Sequence, residues 1–422
     1  MRVAYQAGVL VALEDAGLAF AHADGTSGGT FNLAMLLSGV SPAQACERWR
    51  TLDVRGFVSL PPVRRLLQGP PYPALGSSDG IRDRVYPHLG IDPEAIRAAR
   101  GIQGTFNVCN YTRKVNVAVP HQEIDLDVLV AGVSLPVLSP AVRRGGSAYV
   151  DSVWIKDVNV AEAVRRGADE LWLVWAIGNH GIYRDGAFQQ YVHMIEMSAN
   201  GSLFEELAAV RELNETRHEP ITLHVVRPRV PLPLDPDFFL GRVDASTLIA
   251  MGHRDTCEYL DRRTKNGVLL DPEATRMEDP RPGVGFRETL SGDADGPLTV
   301  HMAWEIDDLD AFARRPAGTV VGDVTHRALG ERRLARGGEF ARDGHAWRAD
   351  LRFAGARLEL RRTRRHWHDV DARLVDDRGA DIARGQLRAQ APPWRTLHAR
   401  GVGSPGAGAL AVARFARLAL TS

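Results

Sequence analysis

Residues 4–16 place Val9, Leu10 and Leu13 on one face at helical spacing, and the pattern predicts a helix there. A short apolar run over 18–23 leads into Gly25 and reads as a strand, after which 30–37 reads as a second helix. Ser41-Pro42 pairs a good N-cap with a proline at the first helical position, so a third helix is expected to run through Trp49. Residues 57–80 hold Pro61, Pro62, Pro70, Pro71 and Pro73 and read as loop. Further strands are predicted over 105–109, 115–119, 148–150, 171–175 and 221–226, with a crossover helix over 160–166. Residues 188–213 carry Tyr191, Val192, Ile195, Leu203, Leu207 and Val210 in one helical stripe, most simply a core face, and 244–261 reads as a last helix. Strands alternating with helices predict an α/β layered sheet over residues 1–265.

Beyond Lys265-Asn266-Gly267 the period changes. Short alternating stretches at 298–304, 347–353 and 356–360, punctuated by Gly and Pro, predict a smaller antiparallel β-rich domain over 280–422. A short helix is expected near 307–313.

Composition narrows the function classes. The 422 residues allow two or three domains, and the 52 basic and 52 acidic side chains cancel. That balance argues against a nucleic-acid partner, and any lipid surface would be met through apolar contacts. Lys114, Lys156 and Lys265 are the only lysines, a skew read as genomic base composition. Cys46, Cys109 and Cys257 are far apart and form no CxxC, which suits a reducing compartment and gives no metal signature. No run approaches 18 uninterrupted apolar residues and no secretory h-region is present, so a cytoplasmic location is expected.

The stretch that carries chemistry is Ala23-Asp24-Gly25-Thr26-Ser27-Gly28-Gly29, a GxSxG motif between a predicted strand and a predicted helix. That context is what a nucleophile elbow requires. A tight strand-to-helix turn exposes the Ser27 hydroxyl at a helix N-terminus, where the Gly28 N–H is the natural oxyanion donor. Side chains at Gly25 and Gly29 are expected to collide across the turn. A second match, Gly76-Ser77-Ser78-Asp79-Gly80, follows a proline-rich segment and reads as a capped loop opening a helix at 81–86. Gly401-Val402-Gly403-Ser404-Pro405-Gly406 spells GxGxxG, but too few residues follow for a βαβ unit, and no cofactor is assigned to it.

Ser27 needs a base. His180, His193 and His224 lie downstream, as a histidine-based triad would want, and each also reads as an ordinary surface or core histidine. His366-Trp367-His368 has no further ligands nearby, so no metal site is assigned. Asp151 ends the apolar run Ala148-Tyr149-Val150 directly before a loop, a common place for a catalytic carboxylate and also for a capping one.

The runs Met1-Arg2-Val3-Ala4-Tyr5-Gln6-Ala7-Gly8-Val9-Leu10, Gly25-Thr26-Ser27-Gly28-Gly29 and Tyr149-Val150-Asp151 resemble the patatin-like phospholipase family, over about residues 1–265. Ser134-Leu135-Pro136 and Gly167-Ala168-Asp169 fit the same order. The resemblance implies a three-layer α/β/α domain and a lipid acyl hydrolase that uses Ser27 as nucleophile and Asp151 as general base, without histidine. A transient lipid or membrane surface is implied with it. Three departures accompany the likeness. The family's first strand and its glycine-rich oxyanion loop precede the point where this chain starts, leaving Arg2 as the loop's basic residue. Val3 stands for the loop's last glycine, and Asp151-Ser152-Val153 replaces the usual Asp-Gly-Gly or Asp-Gly-Ala. These departures imply an alternative, a catalytically impaired lipid-binding or scaffolding protein on the same fold.

Gly283-Val284-Gly285-Phe286-Arg287-Glu288-Thr289-Leu290-Ser291-Gly292 and Ile306-Asp307-Asp308-Leu309-Asp310-Ala311-Phe312 are similar to an accessory module found beside cholesterol-oxidase-like flavin oxidoreductases. The likeness implies a lipid-binding role or docking to a flavin oxidoreductase partner.

Overall fold

A computed structural model describes residues 2–57, 74–233, 241–330, 332–344, 346–363 and 367–421. The five prolines that marked a loop, and His366, lie outside these residues. The chain divides into two compact units, Met1–Asp235 with Arg263–Met277, and Pro236–Arg262 with Glu278–Ser422. The first is an α/β domain and the second an antiparallel β-barrel.

In the first unit, helix Val3–Asp15 buries Val3, Ala4, Tyr5, Ala7, Gly8, Val9, Ala12 and Leu13, so it is enclosed on most sides and not along a single face. Helix Gly29–Leu37 is likewise almost wholly buried. Helix Pro42–Thr51 opens with the expected cap: the Ser41 hydroxyl accepts from the Gln44 N–H, and the Gln44 side chain accepts from the Ser41 N–H. Asn32 ties these three helices together, donating to the Val3 carbonyl (2.9 Å) and Gln6 (3.0 Å) while accepting from Trp49 Nε1 (2.9 Å). A buried asparagine with all these partners fixes relative placement where apolar contact alone would let helices slide.

The strands fall into two sheets. Strand His22–Gly25 pairs in parallel with Gln103–Asn110, which continues antiparallel to Val115–Pro120 and Ser147–Asp151, with Val142–Arg144 beyond. Strands Glu170–Val174 and Thr222–Val226 form a separate parallel pair. Helix Ala187–Asn214 covers that pair through Ala199, Leu203, Leu207 and Val210. Its first three turns behave differently: no residue from 187 to 198 is buried.

In the second unit, strands Gly283–Ala294, Pro297–Ile306, Ala317–His326, Gly337–Asp343, Ala346–Phe353, Ala356–Thr363, Asp369–Asp376 and Asp381–Ala389 pair antiparallel in turn, and the last returns to the first. Closure leaves this eight-stranded cycle without a free edge. Alternate residues, among them Val284, Leu290, Val300, Trp304, Leu351 and Leu358, form its core. Glu288 sits in that core and accepts from Trp304 Nε1 (2.8 Å) and the Arg362 guanidinium (2.6 Å). Helix Ala245–Arg262, expected to close the first domain, packs with this second unit. The buried Arg254 pairs with Glu305 at 2.9 Å and His253 bonds the Ala335 carbonyl at 3.0 Å. The short helix expected near 307–313 is Leu309–Arg314, capped by Asp308. Among the described residues no helix is long and apolar enough to cross a membrane.

Candidate functional site

The elbow forms because the strand ending at Gly25 must reverse into a helix within a few residues. Ser27 takes φ +50°, the left-handed region that a non-glycine residue enters only when its surroundings force it. The turn is closed by the Gly29 N–H to the Thr26 carbonyl (2.7 Å) and the Thr30 N–H to the Ser27 carbonyl (3.0 Å). Helix Gly29–Leu37 then begins with no side-chain cap, and its Gly29, Thr30 and Phe31 N–H groups are taken up by the carbonyls of the turn.

Close approach explains two of the three glycines. A Cβ on Gly25 would lie 3.0 Å from Leu33 Cδ2 and 3.1 Å from the Gly29 carbonyl. A Cβ on Gly28 would lie 1.9 Å from Val3 Cγ1. Gly29, expected to be as constrained, has open space around its Cβ position, because the helix carries it away from the strand.

Asp151 ends strand Ser147–Asp151, opposite Val108 on the central strand, and caps the turn Ser152–Trp154. Its N–H donates to the Ser134 carbonyl (3.0 Å), and its Oδ1 accepts from the Val153 N–H (2.9 Å). Oδ2 is buried and makes no hydrogen bond of normal length among the described residues, while the Ser27 hydroxyl still acts on the carboxylate. Burial pushes the carboxyl up to about 7, against the opposing pull of the Val153 N–H and the Ser27 hydroxyl. The departure at Ser152 has a local use: its hydroxyl donates to Asn116 Oδ1.

Both Ser27 and Asp151 line a cleft of about 800 Å³. Strands His22–Gly25 and Glu170–Val174, each paired on one side within its own sheet, flank it. Leu10, Leu33, Leu36, Phe188, Ile195 and Trp175 contribute apolar wall. The under-buried start of helix Ala187–Asn214 is therefore a cleft wall, and Tyr191 anchors it by donating to the Pro136 carbonyl (2.8 Å).

Two further carboxyls in the cleft were missed from sequence. Asp24 Oδ1 accepts from Asn107 (2.6 Å), while its Oδ2 is sealed from solvent without a partner among the described residues. Burial raises Asp24 to about 8 despite the Asn107 bond. Asp157 is raised to about 7, by burial and then by the negative charge of Asp151. Asn107 Oδ1 in turn accepts from Asn116 (3.2 Å) and Asn159 (2.8 Å). A buried polar chain thus connects the elbow strand to the turn behind Asp151. Alternation along the strand into Gly25 could have flagged Asp24, since strand and cleft both use the same face. Nothing local marks Asn107 or Asp157.

The remaining candidates separate clearly. Arg2 lines the cleft and donates through Nε to the Pro233 carbonyl (3.3 Å). His180, His193 and His224 are not among the lining residues. His193 Nε2 accepts from the Arg184 N–H (3.0 Å), and His224 stacks on Trp172 with ring centroids 4.4 Å apart. His22 does line the cleft, and burial lowers it to about 4, leaving a neutral imidazole bonded to Thr105. Ser77 of the second GxSxG bonds Asp79 (3.0 Å) in a loop before the turn Ile81–Val85. Among the described residues no group of three or more His, Cys, Asp or Glu is placed to hold a metal ion.

Residues 1–164 match the family model described as Patatin-like phospholipase. That span contains the elbow, Asp151 and Asn159. No curated protein matches the chain.

Proposed function

We propose that this chain, whose residues 1–164 are a patatin-like phospholipase domain, is a serine acyl hydrolase that cleaves lipid acyl esters through Ser27 and Asp151. The observation that carries the reading is the pairing of a strained Ser27 with a buried carboxyl whose Oδ2 makes no hydrogen bond of normal length among the described residues, in one apolar-walled cleft.

In this reading Asp151 Oδ2 takes the proton from Ser27 Oγ as Oγ attacks the ester carbonyl. The developing oxyanion lies at the uncapped N-terminus of helix Gly29–Leu37, where the Gly28 N–H donates to it. The carbon–oxygen bond to the alcohol breaks, and the alcohol leaves with the proton held by Asp151. Water then attacks the acyl-enzyme, Asp151 accepts its proton, and Ser27 Oγ recovers one as the fatty acid departs. A carboxyl raised to about 7 suits both halves, because it accepts and returns a proton near neutral pH. Arg2, at the cleft wall beside Val3, adds positive charge on the oxyanion side.

Hydrolysis of p-nitrophenyl butyrate is expected for the full chain and should vanish in Ser27→Ala and in Asp151→Asn. Mass spectrometry of acid-quenched enzyme should find a butyryl group on Ser27 in wild type. Turnover that survives both substitutions would refute the dyad. Complete lack of turnover with retained binding of fatty-acid probes would favour the impaired lipid-binding alternative.

A further inference from the structure

The charges that line the cleft are strongly unequal. Among the described lining residues the acidic side chains are Asp24, Asp151, Asp157, Asp169, Glu170 and Glu196, whereas Arg2 is the single Arg or Lys. Burial holds the His22 imidazole neutral and keeps Asp24 protonated at neutral pH, with Asp151 and Asp157 partly so, and the remaining carboxylates of the wall are Asp169, Glu170 and Glu196. Among the described residues neither Asp24 nor Asp151 makes an ion pair. Asp24 is held by the neutral amide of Asn107 and Asp151 by the Val153 N–H, and the Oδ2 of each makes no hydrogen bond of normal length among the described residues.

From this arrangement we infer that the cleft selects acyl esters with an uncharged head group, such as acylglycerols, and rejects those bearing a phosphate or other anion. The inference rests on the hydrolase reading above and goes beyond it to the substrate class. The physical reason has two parts. An anion entering this cleft meets the carboxylates of Asp169, Glu170 and Glu196, so its desolvation is opposed by more like charge than Arg2 offsets. It would also act on the base itself. The charge of Asp151 already raises its neighbour Asp157, and a further negative charge beside them would favour protonated Asp151, which cannot accept the Ser27 proton. A neutral glycerol hydroxyl instead finds a hydrogen-bonding carboxyl at Asp157, while the acyl chain lies along Leu33, Leu36 and Ile195.

The test separates selectivity from turnover by using ligands that cannot be hydrolysed. Binding of 1-O-octylglycerol and of octyl phosphate to the full chain would be followed below their micellar concentrations by tryptophan fluorescence, since Trp172 and Trp175 line the cleft. The neutral ether should bind at least about tenfold more tightly, and the ratio should shrink in Asp157→Asn combined with Glu196→Gln. Octyl phosphate binding as tightly as the ether, or binding of neither, would overturn the inference. A second arm compares hydrolysis of dihexanoylglycerol with that of dihexanoylphosphatidylglycerol. Equal rates would overturn the selectivity while leaving the hydrolase reading intact. Preferential ether binding without turnover of either ester would refute the hydrolase reading and support the selectivity.

Discussion

Replacing Gly28 by Ala adds one methyl group at the point where the elbow touches the first helix. The added Cβ would stand 1.9 Å from Val3 Cγ1, about half of a normal carbon–carbon contact distance. The backbone of Gly28, at φ −55°, accepts alanine without strain, so the whole effect is steric. Val3 cannot turn aside cheaply, because a β-branched residue in a helix has one strongly preferred rotamer and Asn32 holds the Val3 carbonyl. Overpacking of this kind costs about 1–3 kcal/mol. For a unit of this size that corresponds to a drop of roughly 3–10 °C in melting temperature. Val3→Ala removes Cγ1 and should cost about 1–2 kcal/mol by itself. The double variant should recover most of the Gly28→Ala loss, giving a coupling of about 1–2 kcal/mol in a double-mutant cycle followed by denaturant unfolding. Ester hydrolysis should fall in Gly28→Ala beyond what stability explains, since the displaced N–H is the proposed oxyanion donor, and return in the pair. An unaltered melting curve for Gly28→Ala, or additive single effects, would refute the claim that Val3 seals the elbow.

Ester turnover should rise with pH through a midpoint near 7, because Asp151 must be ionised to accept the Ser27 proton and burial lifts it to about that value; a profile already flat from pH 5 upward would contradict this. Asp24 holds its proton in the folded state up to about pH 8, whereas the unfolded chain releases it near 3.8. Its contribution to stability is therefore complete below about pH 4 and is lost as pH climbs to 8. Asp24→Asn should stabilise the protein by about 1–3 kcal/mol at pH 8–9 and by little at pH 4, as measured by denaturant midpoints. In the barrel, Glu288→Leu should cost about 3–5 kcal/mol by leaving Arg362 buried and unpaired, and Glu288→Leu with Arg362→Met should regain most of it; equal losses in both variants would show that the ion pair is not the issue.

The local sequence determined the elements whose causes are local. Ser41-Pro42 with Gln44 makes its cap from adjacent residues, and GxSxG marked the tight turn between strand His22–Gly25 and helix Gly29–Leu37, because turn geometry depends on a few consecutive dihedrals. The stripe at Leu203, Leu207 and Val210 likewise announced a core helix, and alternation announced the antiparallel strands of the second unit. Closure of those strands into a barrel depended on register between Gly283–Ala294 and Asp381–Ala389, nearly a hundred residues apart, and no local pattern encodes that. Helix Ala245–Arg262 was legible as a helix but not as a partner of the barrel, since what holds it is Arg254 meeting Glu305 across the fold. The first turns of Ala187–Asn214 read as core and are a cleft wall, because an apolar residue looks the same in sequence whether it faces protein or a cavity. Asp157 and Asn107 were invisible for the same reason, and only strand alternation could have pointed to Asp24. Their chemistry comes from burial and from partners brought together by three separate segments, and desolvation is a property of the folded surroundings and not of the residue.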